Sequence, residues 1–266
     1  MSHTITPCKA VHSLDQCAFA LSFDKPITKK NIQDISQIEF FDPSDGYSKK
    51  IKKPEDQASL SISYGEAKKN QNPSWRIGVF KNVIVISCYT YIRWGIFYDI
   101  LEKLLEQILP HVERHSITSL GMKVIDKFNV ETKPNENFSL TELFARNSSF
   151  IAPAFLKAPL PPAESGCTIS AFPKKVFSSQ KNIHHNHIGL SASADSNEEL
   201  LIFTLTNLQG LAIDGEKIPA SSDDAMRFIS SAADFLHEQN KKTLRSVLAR
   251  PVLVSIGLRK EASKCE

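Results

Sequence analysis

The segment at residues 83–130 constrains the fold more than any other. It opens on an apolar run, Val83-Ile-Val-Ile-Ser-Cys-Tyr-Thr-Tyr91, of strand composition. Ile96, Phe97, Ile100, Leu101, Leu104, Leu105, Ile108 and Leu109 then recur with a helical period, and Asp99, Glu102, Lys103, Glu106 and Gln107 fall on the other side. Pro110 stops that helix, because it has no N–H to continue the ladder. Residues 117–130 return to a strand pattern. Each apolar side chain contributes roughly 1.5–3 kcal/mol on burial, and ordering the helix costs about as much as all of them give. The helix therefore needs a sheet to lie on. Its acidic polar face is wrong for an amphipathic membrane helix.

The flanking sequence extends this layer. Phe19, Leu21 and Phe23 alternate, so residues 17–24 read as a half-buried strand. Thr28 can cap a helix over 29–39 that lines up Ile32, Ile35 and Ile38. Leu60, Ile62 and Tyr64, then Trp75, Ile77 and Val79, mark two further strands that run into 83–91 as a meander. Ser139 and Glu142 form a capping box, with Phe138 and Leu143 as its staple, for a short helix over about 140–146. Pro153, Pro159, Pro161 and Pro162 keep the following stretch extended.

Strands follow at 167–172, 184–193 and 200–208, with a turn at Asp214-Gly215. Ser221 or Ser222 then caps a long helix with Asp223 and Asp224 in its first turn. The polar run 239–243 predicts a bend or break near Asn240. Pro251 ends the helix, and 252–258 reads as a last strand. The expected class is α+β: mainly antiparallel sheets with long helices packed on one face, in two similar β-α-β-β-β-α-β-like halves. The halves would be residues 1–133 and 166–266, with 134–165 a linker holding the short helix.

At 41% hydrophobic and 23% charged residues, the composition is that of a soluble globular protein, and a formal charge of +3 does not by itself demand nucleic acid. The N-terminus has no signal-peptide pattern, and no apolar run reaches the ~20 residues that span a bilayer. A cytoplasmic protein without a membrane partner is expected. Cys8, Cys17, Cys88, Cys167 and Cys265 are scattered, with no C-x-x-C pair, which points to reduced thiols; Cys88 reads as a core residue.

Three short motifs, Tyr91-Ile-Arg-Trp-Gly-Ile-Phe97, Leu120-Gly-Met-Lys-Val-Ile-Asp-Lys127 and Phe235-Leu-His-Glu238, carry a resemblance. They resemble an uncharacterised, sporadically distributed bacterial family of roughly this length. In that family a strand leads into a Trp-containing helix start, a Leu-Gly-Leu-Arg-Tyr-Ile-Asn strand follows, and a late helix carries a Leu-His pair. Lys123 and Val124 stand here in place of the family's Arg-Tyr. The family has no established activity. Its patchy distribution implies a setting like that of mobile defence or toxin–antitoxin cargo.

The sequence holds no G-x-S-x-G, no G-x-x-x-x-G-K-[ST] and no G-x-G-x-x-G, and its ten glycines do not cluster. This disfavours serine hydrolases and nucleotide-cradling loops. The densest constellation is Asn182-Ile-His-His-Asn-His-Ile188. On a strand His185 and His187 would share one face, about 6–7 Å apart, and could share a divalent metal if His237, Asp214 or Glu238 came near. The alternative is a solvated, histidine-rich strand. Lys241, Lys242, Arg245 and Arg250, together with Lys49, Lys50, Lys52 and Lys53, could track phosphates; the four early lysines read equally as a solvated loop or charged edge strand.

The leading expectation is a non-enzymatic protein-interaction component of a bacterial system, of phage-defence or toxin–antitoxin type. Its partner would be another protein or a second copy of itself. The alternatives are a nucleic-acid-binding module using those basic residues, and a metal-dependent enzyme centred on His185 and His187.

Overall fold

The sheet is organised by its longest strand. In the computed structural model, residues 3–9, 12–41, 47–52, 59–66, 74–91, 93–131, 138–148, 150–151, 153–157, 175–179, 182–194, 200–214 and 217–258 are described. The strands are β1 (Thr4–Pro7), β2 (Leu14–Phe23), β3 (Tyr47–Lys52), β4 (Ser59–Glu66), β5 (Trp75–Phe80), β6 (Val83–Cys88), β7 (Ser116–Glu131), β8 (Lys175–Ser179), β9 (Asn182–Ala194), β10 (Leu200–Ile213) and β11 (Ile218–Pro219). The helices are α1 (Lys29–Gln37), α2 (Trp94–Ile108), α3 (Leu140–Leu143), α4 (Pro153–Leu156), α5 (Asp223–Val247) and α6 (Arg250–Ser255), and a 3-10 turn (Leu109–Val112) follows α2.

The strands form one sheet in the order β3-β4-β5-β6-β2-β7-β10-β9-β8. Among the described residues each strand pairing is antiparallel. At 16 residues, β7 is about 50 Å long at ~3.3 Å per residue. One of its edges pairs with β2 and then β1, the other with β10 and then β11. Strands of the two sequence halves thus hydrogen-bond directly where β7 meets β10.

The protein is α+β, with helices on one face of a large antiparallel sheet. Strict alternation fixes that face. Leu120, Met122, Val124, Asp126, Phe128 and Val130 of β7 are buried. In register beside them lie Phe203, Leu205, Asn207, Gln209 and Leu211 of β10, and His184, Asn186, Ile188 and Leu190 of β9. Two apolar clusters fill the space beneath the helices. The first joins β2, β4, β5 and β6 to α1, α2 and the early turns of α5. The second joins Phe128, Phe203, Leu205 and Leu190 to α3, α6 and the late turns of α5.

Local signals match the elements they predicted. Thr28 and Asn31 form a capping box at α1, and Ser139 and Glu142 form one at α3. Three of the four lysines of the early excursion, Lys49, Lys50 and Lys52, sit on β3, a terminal strand of the sheet, and Lys53 lies outside the described residues. Ile96 of α2 is 47% exposed rather than in the core, because the helix turns it to the flank of the stripe that buries Phe97, Leu101, Leu104, Leu105 and Ile108.

Three expectations are corrected. Pro153 opens the short helix α4 instead of an extended stretch, as proline is tolerated in a first helical turn, while Pro159, Pro161 and Pro162 lie outside the described residues. Helix α5 runs unbroken through Asn240, because its polar residues there meet polar residues of the sheet. Residues 250–255 form α6, not a strand. Pro251 sits in its first turn, where its missing N–H costs nothing. Gly257, at φ +72°, ends it in a Schellman motif: Leu258 N–H donates to Leu253 O (2.9 Å) and Gly257 N–H to Val254 O (3.0 Å). The strand expected at 167–172 lies outside the described residues.

Candidate functional site

The histidine-rich strand splits its side chains between two environments. His185 and His187 of β9 lie on the sheet face that carries no described helix, opposite Gly210 and Leu208 of β10. His184 and Asn186 turn the other way and are buried. The two metal-candidate imidazoles do share one face. His237 and Glu238, considered as third ligands, belong to α5 on the opposite side of the sheet. Among the described residues no group of three His, Cys, Asp or Glu side chains is placed to hold a metal ion.

A polar track crosses the helix-covered face diagonally, where alternation would place apolar residues. It runs from Asp126 on β7 to Asn207 and Gln209 on β10, then to Asn186 and His184 on β9; all five are buried. Register makes Asn207 the partner of Val124 and Gln209 the partner of Asn186. Helix α5 supplies the complement. Asn207 Nδ2 donates to Asn240 Oδ1 (2.6 Å), and Asn186 Nδ2 donates to Thr243 Oγ1 (2.7 Å). His184 Nε2 lies 3.1 Å from Gln209 Oε1, and burial pulls its imidazole below the ordinary value.

Asp126 is 1% exposed and accepts a hydrogen bond from Ser13 Oγ at 2.6 Å. Burial raises its carboxyl from 3.8 to about 6, against the lowering effect of Ser13. Among the described residues, Asp126 Oδ2, Asn186 Oδ1, Asn207 Oδ1 and Gln209 Nε2 meet no hydrogen-bond partner. The nearby thiols are poor nucleophiles: Cys17 and Cys88 face each other across β2 and β6, and burial raises both.

On the outer flank of α5, Trp94 and His237 stack with ring centroids 4.1 Å apart and planes 3° from parallel. Trp94 Nε1 donates to Asp234 Oδ1 at 3.1 Å. Burial first, then the charge of Lys241, lowers His237 to about 4, so it is neutral near pH 7. This pair ties the start of α2 to α5.

The basic candidates separate into two places. Lys49, Lys50 and Lys52 lie at the β3 edge, where Lys49 pairs with Glu39 at 2.7 Å. Lys241, Lys242 and Arg245 lie on the last turns of α5, over the cluster built on β7, β10 and β9. Lys241 pairs with Glu238 at 2.7 Å. The two sets therefore do not form one patch.

The second set continues into a cleft of about 480 Å³. Arg245 and Arg250 line it together with Arg146, a residue that sequence reasoning passed over. Thr141, Asn147 and Ser246 add neutral polar groups, and among the described residues no acidic side chain lines it. Backbone pairing builds the cleft. Phe144 and Leu248 form an antiparallel bridge, Ala145 N–H donates to Val247 O (2.8 Å), and Ala249 N–H donates to Leu143 O (2.9 Å). The segment after α3 is thereby laid against the elbow between α5 and α6, which puts Arg146 beside Arg245 and Arg250.

Three guanidinium groups around one concavity can receive an oxyanion with paired N–H donors. No described helix is long and apolar enough to cross a membrane. In comparisons with known proteins, no family model, no curated protein and no solved structure matches the chain.

Proposed function

We propose that this protein is a non-enzymatic binding component whose partner is a nucleic acid, gripped at the basic C-terminal end of α5. One observation carries the reading: Arg146, Arg245 and Arg250, from separate segments, line a single cleft that, among the described residues, no acidic side chain lines. Lys241 and Lys242 extend the positive surface along α5. Each phosphate neutralised by such a surface releases counterions, so binding falls steeply with salt. Gel retardation of a short oligonucleotide across a salt series tests it. A shift is expected at low salt, and Arg245→Ala should weaken binding and reduce the log–log salt slope by about 1. No shift at low salt overturns the reading.

A second reading, a protein-interaction component of a bacterial defence or toxin–antitoxin system, draws on a different surface. Phe80 is 50% exposed on the face opposite the helices. Its ring lies over Gly78, where an added Cβ would come within 2.5 Å of it, and its β-partner is Val83. An exposed aromatic on a strand end suits a protein contact. Native pull-down with Phe80→Asp beside the unaltered chain tests this: a partner retained by both excludes Phe80 as the contact.

A further inference from the structure

We infer that the arginine cleft is a pocket for one phosphate monoester, the terminal phosphate of a nucleic-acid strand, rather than a stretch of surface that follows the backbone. The inference rests on the nucleic-acid reading and narrows it.

Its first support is shape. The cleft is a half-open concavity of about 480 Å³, floored by the buried side chains of Phe144, Leu248 and Leu253. An internal phosphodiester has chain leaving on both sides and must be met by an open groove. A terminal monoester has a single attachment and can enter a concavity end-on.

Charge points the same way. A diester carries one negative charge, whereas a monoester carries about −1.5 to −2 near pH 7 and three acceptor oxygens. Three guanidinium groups match the monoester in charge and in donors, since each can present a two-pronged fork. The hydroxyls of Thr141 and Ser246 and the amide of Asn147 line the same space. Lys241, with its ion pair to Glu238, stands one helical turn before Arg245, where a strand leaving the cleft would pass.

Rigidity is the third support. Arg146 does not reach the cleft on a free loop. The hydrogen bonds from Ala145 to Val247 and from Ala249 to Leu143 fix the backbone of both walls, so the ordering left for binding is that of the exposed arginine side chains alone.

The test is fluorescence polarisation with an internally labelled single strand carrying a 5′-phosphate, a 3′-phosphate, or hydroxyls at both ends. One phosphorylated form should bind on the order of tenfold tighter than the hydroxyl form, the effect of one good charge-assisted contact. Arg146→Ala should erase that preference, weakening the phosphorylated strand by on the order of tenfold more than the hydroxyl strand. Arg146→Lys should restore it only in part, since the charge returns without the fork. Equal affinity for all three strands overturns the end-pocket and leaves the nucleic-acid reading standing; binding of none overturns both. Adenosine monophosphate and inorganic phosphate serve as competitors. Displacement by either at the strand's own concentration assigns the pocket to a free phosphomonoester and overturns the strand-end assignment. Arg146 is exposed, and a thermal melt of each variant confirms that the fold is kept.

Discussion

Asp126→Asn should stabilise the protein at neutral pH and have little effect near pH 4. Burial raises the Asp126 carboxyl from 3.8 to about 6. An acid raised in this way holds more protons in the folded state than in the unfolded state across that interval. Its contribution to stability therefore falls as pH rises from about 4 to 6, and the full loss is present above 6. The shift corresponds to about 3 kcal/mol at ~1.36 kcal/mol per unit. Asparagine keeps the acceptor for Ser13 Oγ–H but places an amide N–H2 where Oδ2 meets no partner, which returns roughly 1–2 kcal/mol of the gain. A net gain of about 1–2 kcal/mol at pH 7.5 is expected. The wild-type curve alone will not show it. His237, lowered from 6.5 to about 4, binds more protons unfolded and so adds stability as pH rises through nearly the same window. The assay is urea denaturation of both proteins from pH 4 to 7.5, read as the difference between them, in which the His237 contribution cancels. A difference independent of pH, or a variant less stable at 7.5, would refute a buried and nearly unpartnered carboxylate.

Asn240→Leu should cost about 1–3 kcal/mol by stranding the Asn207 amide donor, and adding Asn207→Leu should recover most of that; denaturation of the four members of the cycle measures the coupling. Trp94→Ala should expose His237 and move its titration upward from about 4 toward 6.5, followed by NMR of the imidazole; an unmoved titration would deny the stack its role in burying the ring. Gly257→Ala should cost about 1 kcal/mol through its positive φ alone, since nothing lies within 4 Å of the added carbon, whereas Gly95→Ala, in an open helical site, should be neutral or stabilising by up to ~1 kcal/mol; thermal melts compare the two.

The elements of this fold are written locally, and their partners are not. Phe19, Leu21 and Phe23 announce a half-buried strand, and Ser139 with Glu142 announces a helix start, because each signal lies within a few residues. The polar track was present in the sequence as well. Asn207 and Gln209 interrupt the buried alternation of Phe203, Leu205 and Leu211, and Asp126 interrupts that of Val124 and Phe128. Read alone, residues 239–243 look like a break in a helix. They make sense only once the phase of α5 and the register of β9 against β10 are known, because then Asn240 and Thr243 face Asn207 and Asn186. Arg146 was invisible for the same reason. Nothing near residue 146 signals that backbone pairing will carry it to Arg245 and Arg250. The β3 lysines were conspicuous through their spacing, yet they form the charged edge of a sheet, where charge blunts unwanted pairing.

The polar track and the arginine cleft are linked through the phase of α5. Ile229, Ala232, Leu236, Leu244 and Val247 would keep a greasy stripe over the sheet after a modest rotation or slide, since apolar contacts carry little directional information. Hydrogen bonds from Asn207 to Asn240 and from Asn186 to Thr243 do not tolerate such a slide, because a displaced helix would leave four more polar atoms buried and unmet. They fix which residues of the last turns point outward. Arg245 lies two positions beyond Thr243, and Val247, whose carbonyl receives Ala145 N–H, lies four beyond it. A helix advanced by one residue would rotate Arg245 by about 100° away from the cleft and withdraw the acceptor that holds Arg146 in place. The costly polar groups in the core thus set the register that assembles the cationic site at the surface.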